Sequence, residues 1–320
     1  MRQAGRYLPE YNKIRANMAN FLDLCYDSDK ASTVTLQPIN RFGFDAAIIF
    51  SDILVILDSL GWTVEFKKEE GPVLRQFKSD EDLGLLAKKL DSKINNIYDT
   101  VSKVKAKLPE SCSLIGFAGS PWTVISYMLE GRGKQNFSVS KSFLYNKKDT
   151  ALKLTDYIAG QTVEYLSGQI TAGADIIQLF DSWAGMLSRD EYQQFVIGPT
   201  KKIITELKNR HSNIPVIGFP RGSGFLYDQY INETGIDAIG VDQFVPVEIM
   251  AEWQNRVTIQ GNLDPVVLLS NKDQIAMKAE EILAGVQSKN FIFNLGHGIL
   301  PATPIENVEF LVNYVRKYQR

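Results

Sequence analysis

Seven short apolar runs alternate with helical patterns, polar residues gather at the C-terminal end of nearly every run, and no G-x-G-x-x-G follows the first. Together these predict an α/β chain folded as a single-domain (β/α)8 TIM barrel over residues 1–320. The length of 320 residues suits one barrel of about 250 residues plus insertions.

The runs are Ala46–Phe50, Ser113–Gly119, Asp175–Asp181, Ile214–Pro220, Ala238–Gln243, Val257–Asp264 and Phe291–Gly296. Each is too short for a helix, is bounded by Gly, Pro, Asn or Asp, and is apolar on both faces, as parallel strands covered by helices must be. Between them, Glu81–Leu108 and Ala151–Thr171 carry apolar residues at helical spacing. A capping box from Ser188 to Glu191 opens another helix, which Pro199 should kink or split. Thr303 with Glu306 forms a second capping box, with Pro304 at the first helical position, ahead of a C-terminal helix through Val308, Leu311, Val312 and Val315. No antiparallel hairpin signal stands out.

The polar strand ends decide between an open doubly wound sheet and a closed barrel. Asp52, Asp181 with Ser182, Arg221, Asp242 with Gln243, Asn262 with Asp264, and His297 each close or follow a run. Polar groups converging from many strand ends suit a barrel mouth, onto which all those ends open. The count of runs is seven, so the eighth strand is expected to precede Met1 or to be cut short at it.

A hydrophobic content of 44% and a charged content of 22% describe an ordinary globular chain, and a net charge of −2 argues against a nucleic-acid groove. The most apolar stretch, Ala46–Leu57, is interrupted by Ser51 and Asp52, so no membrane span is expected. The basic start (Arg2, Arg6, Lys13, Arg15) contains Pro9 and Glu10, unlike a transit peptide. Cys25 and Cys112 stand far apart, which favours a reducing, cytoplasmic setting over a disulfide framework or a zinc knuckle.

Five motifs carry more specific information: MRQAGRYLPEY (Met1–Tyr11), RFGFDAAIIFSDIL (Arg41–Leu54), GFAGSPWT with YMLEG (Gly116–Thr123 and Tyr127–Gly131), QLFDSWAG (Gln178–Gly185) and NLGHGILPATPIENV (Asn294–Val308). In this order and spacing the chain resembles the uroporphyrinogen decarboxylase family along its whole length. The resemblance implies a (β/α)8 barrel and a lyase without a cofactor or metal. Its substrate would be uroporphyrinogen III, whose four acetates become methyls to give coproporphyrinogen III in haem biosynthesis. It also implies a homodimer with facing clefts, and no nucleic-acid or membrane partner.

Several residues match family positions, and each also has a plainer explanation. Arg2 and Arg6 match two arginines that grip substrate carboxylates, a task suited to a permanently charged bidentate group; a surface ion pair is the plainer alternative. Asp52 matches the catalytic aspartate, which can face the pyrrole N–H groups and stabilise a protonated ring; otherwise it caps a helix starting at Ile53. Tyr127 and Ser182 match positions that bind substrate carboxylate or the aspartate, although strand-end Tyr and Ser are commonly structural. His297, between Gly296 and Gly298 where backbones can approach closely, matches a histidine near the substrate's carboxylates; a structural hydrogen-bonder is its alternative. Phe117 is assigned to packing on the macrocycle or to the core, and Gln3 to a polar contact beside Arg2. Arg221, in FPRGSG, fits no nucleotide motif and reads as a loop arginine outside the site.

Two departures from the family pattern stand out. Family members carry residues before the signature, usually with a Trp, and Asp242–Gln243–Phe244 replaces a frequent Asp-Trp. Two rival functions follow: a non-catalytic, truncated barrel, and a cobalamin-linked methyltransferase with zinc on His and Cys. The chain's two histidines and two cysteines form no ligand pair in sequence.

Overall fold

The computed structural model describes residues 3–67, 70–87, 89–133, 136–287 and 289–318. Nine strands occur in it: β1 (Ala46–Ile48), β2 (Val64–Lys67), β3 (Gly71–Leu74), β4 (Ser113–Gly119), β5 (Ile176–Asp181), β6 (Val216–Pro220), β7 (Ala238–Gly240), β8 (Thr258–Leu263) and β9 (Phe291–Leu295). Seven of them form one wholly parallel sheet in the order β1-β4-β5-β6-β7-β8-β9. Each coincides with one of the apolar runs, and consecutive strands lie side by side, as β–α–β crossovers produce. The curled sheet carries its helices outside, giving the single-domain TIM-barrel architecture the sequence predicts.

Burial follows from that arrangement. Leu114, Ile177, Leu179, Val216 and Ile239 are fully buried against the outer helices. The helix Ile305–Lys317 packs beside the helix Ser28–Phe42, where Arg316 reaches Gly43 and Asp45, so the outer layer returns to the element that precedes β1. The free edge of β1 is met by a side chain: Gln3 donates from Nε2 to the Ala46 carbonyl at 2.7 Å and accepts from the Ile48 amide at 3.0 Å.

Four local expectations need correction. β2 and β3 form an antiparallel pair, Val64 opposite Leu74 and Lys67 opposite Gly71. It escaped sequence reading because the strands are four residues long and lack an Asn-Gly or Asp-Gly turn. The pattern over Glu81–Leu108 is not one helix: a turn Asp80–Leu83 and a 3-10 turn Ser92–Ile94 precede the helix Asn95–Lys105. Thr303 does not cap the last helix. Pro304 takes the cap position and the Thr303 hydroxyl is buried without a hydrogen bond to any described residue. Finally, the helix after β1 runs over Val55–Ser59, and Asp52 turns the chain ahead of it by accepting from the Leu54 amide at 2.9 Å. At Ser188 the expectation holds in part: the hydroxyl reaches the Glu191 side chain but caps no helix amide, so no capping box forms, while the helix does break, through a π turn at Gln193–Ile197 before Gly198–Arg210, with Pro199 in the first turn of the second part.

Among the described residues no helix is long and apolar enough to cross a membrane.

Candidate active site

All seven parallel strands present their C-terminal ends to one mouth, and most of the predicted site residues follow those ends. Asp52 is half-buried after β1. Its charge, after burial itself, contributes to raising the pKa of Tyr127 to about 12, and it also acts on the buried Tyr165 and Cys25. Asp52 and Tyr127 are therefore neighbours, although β1 and the helix Pro121–Glu130 place them 75 positions apart in sequence. A hydrogen bond from the Trp183 side chain pulls the Tyr127 pKa the other way.

Trp183 is the next residue after Ser182, and its place is fixed by a relay. The Thr123 hydroxyl donates to Asp181 Oδ1 at 2.5 Å and accepts from the Trp183 amide at 3.2 Å. The Trp122 indole donates to the Trp183 carbonyl at 2.9 Å. The turn after β5 is thus tied to the helix that carries Tyr127, and half-buried Ser182 lies within it. Asp181 itself is wholly buried, which pushes its carboxyl up to about 7 against the opposing pull of Thr123.

The floor of the mouth is aromatic. Strand alternation sends Phe117, Phe180 and Phe219 to one face of the sheet. The rings of Phe117 and Phe180 meet edge to face at 5.5 Å, and those of Phe180 and Phe219 at 6.0 Å. The row ends at His297, whose imidazole lies over Phe219 at 6.5 Å with the planes 18° apart. Gly296 permits this position: a Cβ there would fall 2.5 Å from the Gln243 amide nitrogen and 3.0 Å from the Asn262 carbonyl oxygen. On the same face sits Gln178, fully buried, with neither end of its amide hydrogen-bonded to a described residue.

The N-terminal residues are arranged less uniformly. Gln3 spends both ends of its amide on β1, so its observed role is to hold the N-terminal segment to the barrel. Tyr7 stacks near Phe42 and Tyr11 meets Phe50, which fixes the same segment against the helix before β1 and the residues after it. Arg6, between them, is exposed and pairs with no carboxylate of the described residues. Arg2 lies outside the described residues.

Sequence reasoning missed Trp183 and Gln178 as parts of this mouth. Trp183 and Gln178 fall inside the QLFDSWAG motif, but no spacing rule says that one grips Tyr127 and the other faces inward. Arg221 had the positional signal of following a strand, and was set aside because its surroundings match no nucleotide loop. Among the described residues no three His, Cys, Asp or Glu side chains gather as a metal site.

The strand ends bring a carboxylate and a phenol together, with an imidazole over an aromatic floor, which suits an anionic, nitrogen-bearing ring substrate. Comparison with known proteins agrees. The model of the family described as uroporphyrinogen decarboxylase matches residues 1–318. Proteins named uroporphyrinogen decarboxylase from Rickettsia felis and Rickettsia bellii are each 57% identical over 319 residues, covering all of this chain and 92% and 94% of theirs. Among solved structures, a methyltransferase from Methanosarcina mazei aligns with a TM-score of 0.77 at 18% identity, over 96% of this chain and 90% of its own. A B12-independent methionine synthase from Shewanella sp. W3-18-1 aligns at 0.64 and 12%, over 93% and 90%. At such identities these two speak for the barrel and not for its chemistry, whereas the likeness to the Rickettsia proteins extends over the whole of this chain. On that likeness, and on a family model that spans nearly its whole length, the chain belongs to the uroporphyrinogen decarboxylase family.

Proposed function

We propose that this chain decarboxylates the four acetate side chains of uroporphyrinogen III, giving coproporphyrinogen III as a carboxy-lyase that needs no cofactor. The observation that carries this reading is the 57% identity, over the full length of the chain, to proteins named for that activity. The same identity disfavours both a methyltransferase and an inactive barrel.

The site residues take roles that follow from their chemistry. Loss of carbon dioxide from an acetate leaves an electron pair that a protonated pyrrole ring can accept. Asp52, an anion facing the mouth, holds the ring N–H groups and stabilises that cation. Tyr127, whose raised pKa keeps it a phenol, donates toward substrate carboxylate or Asp52, with Ser182 beside it. His297 serves the substrate's carboxylates from across the aromatic floor, against which Phe117 packs the macrocycle. Arg6, and Arg2 by its match to the family signature, bind further carboxylates as bidentate cations. Gln3, assigned to the substrate from sequence, acts instead through its bonds to β1.

The protein acts as a homodimer with facing mouths, in the cytoplasm. Apolar side chains exposed in the loops after β5 to β8 support the dimer: Met186, Phe225, Phe244, Val266 and Leu269. The free, buried Cys25 and Cys112 are compatible with a reducing compartment.

The test is anaerobic incubation with reduced uroporphyrinogen followed by oxidation of the products. Porphyrins with seven, six, five and four carboxyl groups should appear in turn; folded protein that yields none of them would sink the proposal.

A further inference from the structure

We infer that Arg221 is an additional carboxylate-binding residue of the mouth, receiving one side-chain carboxylate of the macrocycle on the side opposite Arg6. This rests on the substrate class proposed above and adds to it a residue that the family signature does not supply.

The first observation is the position of Arg221. It follows β6 directly, and its amide donates to the Asp181 carbonyl at 3.0 Å, extending the contact of β5 with β6 by one rung. Its backbone neighbour across that rung is the peptide that leads into Ser182. Two residues before it, Phe219 faces inward and carries the His297 imidazole at 6.5 Å. Continued alternation directs Arg221 to the inward side as well, one step nearer the opening.

The second is that its side chain is half-buried and lacks a counter-ion. The Nε group is out of contact with solvent, makes no hydrogen bond to a described residue, and no described carboxylate lies within ion-pair distance of the guanidinium. A partly desolvated cation without an anion is costly, and natural proteins seldom retain one unless a ligand completes it. The acids at the ends of the flanking strands are otherwise engaged. Asp242 accepts from the Gly222 amide at 2.6 Å, the Tyr227 hydroxyl at 3.0 Å and the Phe244 amide at 3.0 Å. Asp181 turns one oxygen to Thr123, and its raised pKa favours the neutral acid.

The third is preorganisation. The Arg221 carbonyl accepts from the Gly185 amide at 3.0 Å, Asp242 holds Gly222, and Ser223 donates to the Pro220 carbonyl at 2.7 Å while meeting the Tyr192 hydroxyl at 2.9 Å. Arg221, Gly222 and Ser223 are each fixed by a bond to a neighbouring loop or helix, and the turn is closed on itself at Pro220, so Arg221 is presented on a rigid base. A guanidinium so held loses little freedom on gripping a carboxylate.

The experiment compares wild type with Arg221→Gln and Arg221→Lys. Steady-state decarboxylation of uroporphyrinogen is measured, together with equilibrium binding of uroporphyrin and of its octamethyl ester by fluorescence quenching. Arg221→Gln should raise KM and weaken uroporphyrin binding about 10- to 100-fold, with kcat changed far less. Arg221→Lys should recover part of the loss, and the uncharged ester should bind all three proteins alike. Wild-type KM and binding in a folded Arg221→Gln variant would overturn the inference and leave the proposed function standing. A wild type that binds uroporphyrin without turning it over would overturn the proposed activity, with Arg221 judged on binding alone. A wild type that does neither would overturn both.

Discussion

At the scale of single residues, two strand-end carboxyl groups sit in opposite environments. Asp52 is half-exposed at the mouth and uses Oδ1 to accept from the Leu54 amide. Asp52→Asn keeps that acceptor and the size of the side chain while deleting the charge. On the proposed mechanism kcat should fall about 10²–10³-fold with little change in thermal stability, by comparison with loss of one transition-state stabiliser. Turnover near the wild-type value would return Asp52 to a turn-forming role.

Asp181 is the contrasting case, because burial raises its carboxyl to about 7 from an ordinary 3.8. The folded protein holds this proton more tightly than the unfolded chain does. Between those values the unfolded state binds fewer protons, so stability falls as pH rises and levels off once the folded form has also ionised. Asp181→Asn removes that slope and keeps an acceptor for Thr123. Relative to wild type, the variant's melting temperature should improve from pH 4.5 to about pH 7 and then level off. A difference that is flat, or that runs in the other direction, would show that Asp181 is ionised throughout. Neither environment was legible beforehand: FSDIL and LFDSW look alike as strand-end acids, and only packing separates a solvated carboxylate from one enclosed by Thr123, Tyr192 and Tyr230.

At the scale of elements, the site is an agreement among loops. The strands were legible because parallel strands buried on both faces leave uninterrupted apolar runs, and each run holds a strand, cut short most at Ala46–Ile48 and Ala238–Gly240. Contacts between loops leave no such trace. At Gly185 a Cβ would stand 2.1 Å from the Gly222 carbonyl oxygen and 2.4 Å from its carbon, so the turn after β5 and the turn after β6 meet backbone to backbone. A methyl group cannot be absorbed there by a side-chain rotation, since both obstructing atoms belong to the main chain. Gly185→Ala should therefore destabilise the fold by about 1–3 kcal/mol. It should also raise KM, because Ser182 and Arg221 ride on the two turns forced apart. Urea unfolding and steady-state kinetics report the two effects separately; a variant unchanged in both would mean that the turns separate without cost.

At the scale of the whole molecule, the proposed facing-mouth dimer rests on the apolar rim. Phe225 is 98% exposed and Phe244 71% exposed, each in a loop beside the mouth. In sequence both look like ordinary core phenylalanines, because composition does not tell a ring that fills a core from one that awaits a partner. Burying a phenylalanine side chain contributes about 1.5–3 kcal/mol, and a two-fold axis counts each contact twice. Replacing one such ring by aspartate should therefore weaken a mouth-to-mouth dimer by about 3–6 kcal/mol, a factor on the order of 10²–10⁴ in its dissociation constant. Sedimentation velocity across a concentration series should show wild type as a dimer, with Phe225→Asp and Phe244→Asp shifted toward monomer. Tyr145, 62% exposed on the helix Ser138–Asn146, supplies the control: Tyr145→Asp should leave the dimer intact. A wild type that sediments as a monomer at every concentration, or rim variants that dimerise as well as it does, would remove the facing-mouth assembly and leave the rim to some other partner.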